Sequence, residues 1–205
     1  GGELLVAAAT AVSILGVALL VLLTPLWTHT ALSLSGATSS FATPDQAFSI
    51  NDPTVAALVF GGDFQTIGGG SFFTAAEASH LRDARAVLYA FLAVVAACVV
   101  FLIAWLSRRG DREAWSAVGA AGRGLMVGVV VIGVVGFLAF DLAFELFHRV
   151  LFPGGNWEFP ADSNMLRLYP YAFWQFTAMA LGLLAILGGF VVWRVGRARE
   201  RRLAA

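Results

Sequence analysis

The chain has no lysine. All 13 of its basic residues are arginine, and 13 acids balance them to a formal net charge of zero. No basic patch interleaved with aromatics occurs, so the electrostatic footprint of a nucleic-acid binder is missing and no nucleic-acid partner is expected. There is one cysteine, Cys98, set in an apolar run. It excludes an intrachain disulfide and reads as a small buried hydrophobe. No CxxC pair, Walker A loop or dinucleotide fingerprint is present. Gly68–Gly70 is not followed by a Lys-Ser/Thr pair, so it reads as a flexible joint rather than a phosphate loop. Charge itself is scarce: 13% of residues are charged, against about 25% in soluble domains.

What is abundant is apolar: 59% of residues are hydrophobic, and the mean hydropathy is +0.81. That places the chain in the membrane class. A spanning helix needs roughly 20 mainly apolar residues. Four runs qualify, at about 4–23, 86–106, 124–147 and 173–193. Gly1-Gly2 reads as a processed end and is left out of fold reasoning. The first run lacks a basic start and a small-residue cleavage site, so it is expected to be a retained span rather than a signal peptide.

Arginines set the expected orientation, because cytoplasmic loops are enriched in them. Arg108, Arg109, Arg112 and Arg123 lie between the second and third runs. Arg194, Arg197, Arg199, Arg201 and Arg202 follow the fourth. The expected fold is an all-α membrane protein, a single membrane domain of four transmembrane helices with both termini cytoplasmic. Two extracytoplasmic segments, a long one at about 25–83 and a short one at about 148–172, should cap the bundle. Trp27, Trp157, Tyr169, Tyr171 and Trp174 fit an outer aromatic belt, and Trp105, Trp115 and Trp193 an inner one. Within the long segment, Asp52-Pro53 reads as the N-cap and first turn of a short helix. "GGDFQTIGGG" reads as loop.

The polar chemistry gathers around three histidines, His29, His80 and His148. His29 has no carboxylate nearby in sequence and reads as an interfacial polar residue. His80 lies in "FFTAAEASHLRDARAVLYAF", where Thr74 and Glu77 form a capping-box pattern that predicts a helix start. Glu77, His80 and Asp83 are spaced by three and share a face; Arg82 and Arg85 lie just round from it. A carboxylate beside an imidazole can fix its tautomer and raise its pKa. His148 closes the third run, and Asp141, Glu145 and His148 form a second stripe. At 1.5 Å per residue Asp141 lies roughly 10 Å deeper than His148, and an acid at that depth points to a functional site facing the bundle interior. Antiparallel neighbouring spans joined by a short inner loop should bring the two histidines to one depth.

"FTAAEASHLRDARAVLY" together with "FELFHRVLFPGGNWEFP" and "LYPYAFW" resembles the four-span family of lipoprotein intramolecular transacylases (Lit). The resemblance implies a multi-pass protein of the bacterial cytoplasmic membrane with its active site at the extracytoplasmic face. It implies an enzyme that moves the sn-2 acyl chain of a diacylglyceryl-cysteine lipoprotein to the α-amine of that cysteine, giving the lyso form. The partners are then a diacylated lipoprotein and membrane lipids, with no cofactor and no metal. His80 and His148 become the catalytic pair, with Glu77, Asp83, Trp157 and Tyr169 near them.

The residue types suit that chemistry. The α-ammonium has a pKa of about 7.7–8.0, and an imidazole near 6.5 can take its proton. One histidine acts as base, the other as acid on the leaving glycerol oxygen. Arg82, Arg85, Arg149, Tyr169 or Trp157 could stabilise the oxyanion. Two other readings stand beside this one. His80 and His148 could ligate haem iron, or zinc with a carboxylate. A non-catalytic subunit or small transporter is the other, and it predicts polar residues spread through the spans rather than collected at one face.

Overall fold

The structure is a computed structural model that describes residues 2–64 and 72–204. The "GGDFQTIGGG" loop reading is met over Gly61–Phe64; its remainder, with the Gly68–Gly70 joint, lies outside the described residues. Among the described residues the regular structure is entirely helical, in the order α1 Gly2–Leu22, α2 Pro25–Leu34, a short 3-10 turn Ala37–Ser40, α3 Pro44–Phe60, α4 Ala75–Arg109, α5 Arg112–Leu138, α6 Phe140–Leu151, α7 Asn164–Leu168 and α8 Tyr171–Arg202. Four of these, α1, α4, α5 and α8, are long and apolar enough to cross a membrane.

The boundaries depart from the sequence reading in three places. The third span occupies α5, not 124–147. The helical backbone breaks at Ala139 (φ −130°, ψ 43°), and the stripe of Asp141, Glu145 and His148 belongs to the separate helix α6. The inner loop shrinks to Gly110 and Asp111. Gly110 takes a positive φ of 26°, and its N–H donates to the Leu106 carbonyl at 2.8 Å, which closes α4 as a C-terminal glycine does. Asp111 then caps the next helix, its Oδ1 accepting from the Ala114 N–H at 2.8 Å. Arg112 and Arg123 are therefore helical, because the Ala- and Gly-rich stretch between them favours close helix packing over a loop. In the long segment the helix begins at Thr43-Pro44 rather than Asp52-Pro53. The Thr43 hydroxyl accepts from Gln46 N, and Gln46 Oε1 accepts from Ala42 N, a reciprocal cap that wins over the later Asp-Pro signal. Pro53 lies inside α3.

The helices gather into two compact units. One consists of α1 up to Leu20, α4 from Phe91, α5, and α8 from Met179. Small residues hold it together. A Cβ at Gly122 would come within 2.6 Å of the Gly189 carbonyl oxygen, and one at Gly196 within 2.7 Å of Gly119 Cα. In lipid, where burying apolar surface gains little, such close backbone approach supplies the packing.

The other unit consists of α2, the 3-10 turn, α3, α4 up to Ala90, α6, α7, and α8 up to Ala178. Its apolar core includes Leu32, Phe41, Ile50, Phe73, Leu81 and Leu168. Beside that core runs a polar network. Asn51 donates to the Thr28 hydroxyl at 3.0 Å and to Asp52 at 3.1 Å, and the Tyr169 hydroxyl donates to Asn51 Oδ1 at 3.2 Å. His29 joins it through Nε2, 2.7 Å from Asp52 Oδ1, and stacks on Phe48 with ring centroids 4.0 Å apart. A buried polar chain of this kind holds helices in register because breaking any link strands a partner.

Candidate active site

The first three turns of α4 carry Glu77, His80, Asp83 and Arg85. The capping box forms as expected: Glu77 Oε2 accepts from the Thr74 N–H at 2.7 Å, and the Thr74 hydroxyl from the Glu77 N–H at 3.3 Å. The other carboxylate oxygen, Oε1, accepts from Met165 N at 2.8 Å, at the start of α7. Glu77 is 1% exposed. Its oxygens are thus engaged with two backbone donors at the starts of two different helices.

His148 projects from the last turn of α6. Its Nδ1 is 2.8 Å from the Phe144 carbonyl oxygen. A carbonyl only accepts, so Nδ1 carries the hydrogen, and in the neutral ring the lone pair sits on Nε2. The His80 and His148 ring centroids are 6.1 Å apart with planes inclined by 29°. Two imidazoles separated by 68 positions in the sequence come together, as expected from the sequence.

Aromatic rings wall the pair. Phe152 lies 4.7 Å from His80 and 5.7 Å from His148, Phe159 is 5.7 Å from His80, and Trp157 is 4.9 Å from His148. Phe144 packs 4.2 Å from His148. His80 Nδ1 is buried and makes no hydrogen bond among the described residues. A buried, unpaired ring nitrogen is costly. Asn156 donates to the Asp83 carboxylate, and its amide lies beside the His80 ring.

Desolvation pushes the His148 imidazole below its ordinary value, and the hydrogen bond to the Phe144 carbonyl opposes this in part. At neutral pH the ring is therefore neutral, with Nε2 ready to accept. The depressed pKa means the unfolded chain holds this proton more tightly. The stabilisation from keeping His148 neutral is thus complete above about pH 6.5 and is lost as pH falls through the folded value. A histidine-ring NMR titration should place the His148 midpoint below about 6.5; a midpoint at or above that value contradicts this environment.

The remaining residues singled out from sequence sit as follows. Arg85 donates to the carbonyls of Ala57 (3.3 Å) and Gly62 (2.6 Å), at and just past the end of α3, and lies over the Phe64 ring. Arg149 pairs with Glu145 at 2.6 Å. Asp141 accepts from the Tyr171 hydroxyl. Tyr169 is buried in the Asn51 network, and burial raises its phenol pKa. Among the described residues neither Tyr169 nor Arg149 makes a ring or ion-pair contact with a histidine, and no group of three or more His, Cys, Asp or Glu side chains is arranged to hold a metal ion. Sequence reasoning missed Asn156 and the ring wall of Phe144, Phe152 and Phe159. Asn156 meets Asp83 from 73 positions away, which nothing local signals, and aromatics near a membrane surface look like a belt. It also missed the partner of His29, since Asp52 lies 23 positions away.

A family model described as "Lipoprotein intramolecular transacylase Lit" matches residues 43–174, a stretch that contains both histidines and the whole ring wall. A solved structure of the membrane-integral lipoprotein intramolecular transacylase Lit from Bacillus cereus is similar at TM-score 0.80 and 16% identity, covering 98% of this chain and 94% of that one. A variant of the same protein with one histidine replaced by arginine matches at TM-score 0.78 with the same identity. An uncharacterized protein of Aquifex aeolicus is 29% identical over 126 residues, 60% of this chain. The match spans 56% of that relative, little more than half its length.

Proposed function

Because the chain belongs to the lipoprotein intramolecular transacylase Lit family, we propose that His80 and His148 are the proton-transfer pair of an O-to-N acyl transfer within a diacylated lipoprotein. The observation that carries this reading is the 6.1 Å separation of the two rings inside an aromatic wall. His148 Nε2 accepts the proton of the cysteine α-amine as its nitrogen attacks the sn-2 ester carbonyl carbon. The tetrahedral intermediate collapses with cleavage of the carbonyl-to-glycerol C–O bond. The proton that His148 took up passes by way of His80 to the departing glycerol oxygen, which leaves an amide, a free glycerol hydroxyl, both imidazoles as they began and no change in total mass. The attacking amine and the ester belong to one substrate. Catalysis then rests on proximity and proton transfer, without a protein nucleophile.

The oxyanion needs a donor, and the geometry narrows the choice. Arg85, Arg149 and Tyr169 are engaged elsewhere, which leaves Arg82 and the Trp157 indole N–H, and the Trp157 ring packs 4.9 Å from His148. Trp157→Phe keeps a ring against His148 and removes the N–H, so the transfer rate should fall roughly 10²-fold. An unchanged rate would move the oxyanion role to another group.

The site faces outside in this reading. His80 lies in the first turns of a 35-residue helix whose other end carries Arg108 and Arg109, and arginine-rich ends favour the cytoplasm. Mass spectrometry of a diacylated lipopeptide incubated with the purified protein tests the function: one acyl group should appear on the amine with the total mass unchanged. Recovery of only the starting lipopeptide, from folded protein, counts against it.

A further inference from the structure

We propose that a cleft between α5 and the C-terminal part of α8, in the unit that does not contain the histidines, binds the phosphate of an anionic phospholipid. The cleft has a volume of about 360 Å³, and Arg112, Arg123, Trp193, Arg197, Glu200 and Arg201 line it. Four guanidinium groups meet one carboxylate. Glu200 pairs with Arg112 at 3.6 Å. Among the described residues Arg123, Arg197 and Arg201 form no ion pair, and three positive charges crowd one concavity. Like charges this close repel, and a bound anion offsets that repulsion.

The ligand class follows from the donors and the walls. Guanidinium groups match phosphate oxygens in a bidentate fork. Arg197 lies over the Trp193 ring at 6.0 Å, an interfacial aromatic beneath a cation. The cleft exists because glycines let the two helices run together: Gly119 lines it, and a Cβ on Gly196 would come within 2.8 Å of Gly119 N. A larger residue at Gly196 would force the helices apart.

Both a lipid headgroup and free phosphate carry the same anion. The flanks of the cleft favour the lipid. On the same two helices Val127, Val130, Val191 and Val195 are exposed, an apolar surface along which acyl tails can lie. Basic clefts at the ends of membrane helices suit anionic headgroups.

The test uses the full purified chain in a neutral detergent. Native mass spectrometry and thermal melts are run with phosphatidylglycerol, phosphatidylcholine or inorganic phosphate added. Phosphatidylglycerol should be retained and raise the melting temperature, with phosphatidylcholine and phosphate doing neither. The Arg123→Gln, Arg201→Gln double variant should retain phosphatidylglycerol about tenfold less well, with its lipid-free melting temperature and its lipopeptide activity intact. Arg197→Gln alone replaces it if the double variant does not fold. Equal retention of the two lipids, or unchanged retention by a folded variant, overturns the site. An equal shift from inorganic phosphate overturns its assignment to a lipid.

Discussion

His148→Ala should lower the rate of acyl migration by about 10²- to 10⁴-fold, the range that a positioned general base contributes. The protein should remain folded, since among the described residues His148 is hydrogen-bonded only to the carbonyl of its own helix and packs among rings that survive its removal. His80→Ala should produce a loss of similar size. The double variant should lose little more than the worse single one, because groups acting on one proton path fail as a unit. Single-turnover mass spectrometry of a diacylated lipopeptide reads all three. Losses that multiply in the double variant would mean that the two imidazoles act independently. A His148→Ala protein with full activity would remove the ring pair from the chemistry.

The second large effect is structural. Glu77→Ala strips an acceptor from the Thr74 and Met165 N–H groups at once. Each hydrogen bond to a charged acceptor is worth about 1.5–3 kcal/mol, so the loss should reach roughly 3 kcal/mol or more. For a chain of this size about 2–4 °C of melting temperature accompanies each kcal/mol, which makes the drop about 6 °C or larger. Glu77→Gln keeps one accepting oxygen and should fall between. Well below their melting temperatures, both variants should keep most of their activity. A Glu77→Gln protein that melts normally but cannot transfer an acyl group would show that the carboxylate serves the chemistry instead.

Much of this was readable in the amino-acid sequence, and the reasons are specific. Long apolar runs within helices of 21 to 35 residues announce four spans. The Thr-x-x-Glu pattern announces the start of α4 because its two hydrogen bonds are local. The meeting of His80 and His148 could be inferred because few histidines were available and both fell at span ends. What stayed hidden depends on long-range contacts. Glu77 looked like a partner for His80 at i, i+3, but the more valuable bond came from Met165, 88 positions away. Arg85 looked like one possible oxyanion donor beside a histidine, yet carbonyls near the end of α3 claimed it. The break at Ala139 carries no proline or glycine at its own position, so periodicity ran straight through it into Phe147.

The group that sets the His148 tautomer is a main-chain carbonyl, four residues earlier in the same helix. Every amino acid offers that oxygen, so residue 144 can vary freely without altering which ring nitrogen holds the hydrogen. A saturation mutagenesis survey would register the imidazole and pass over the atom that orients it. Only a change to the peptide unit itself, such as replacing an amide by an ester through chemical synthesis, would expose its contribution.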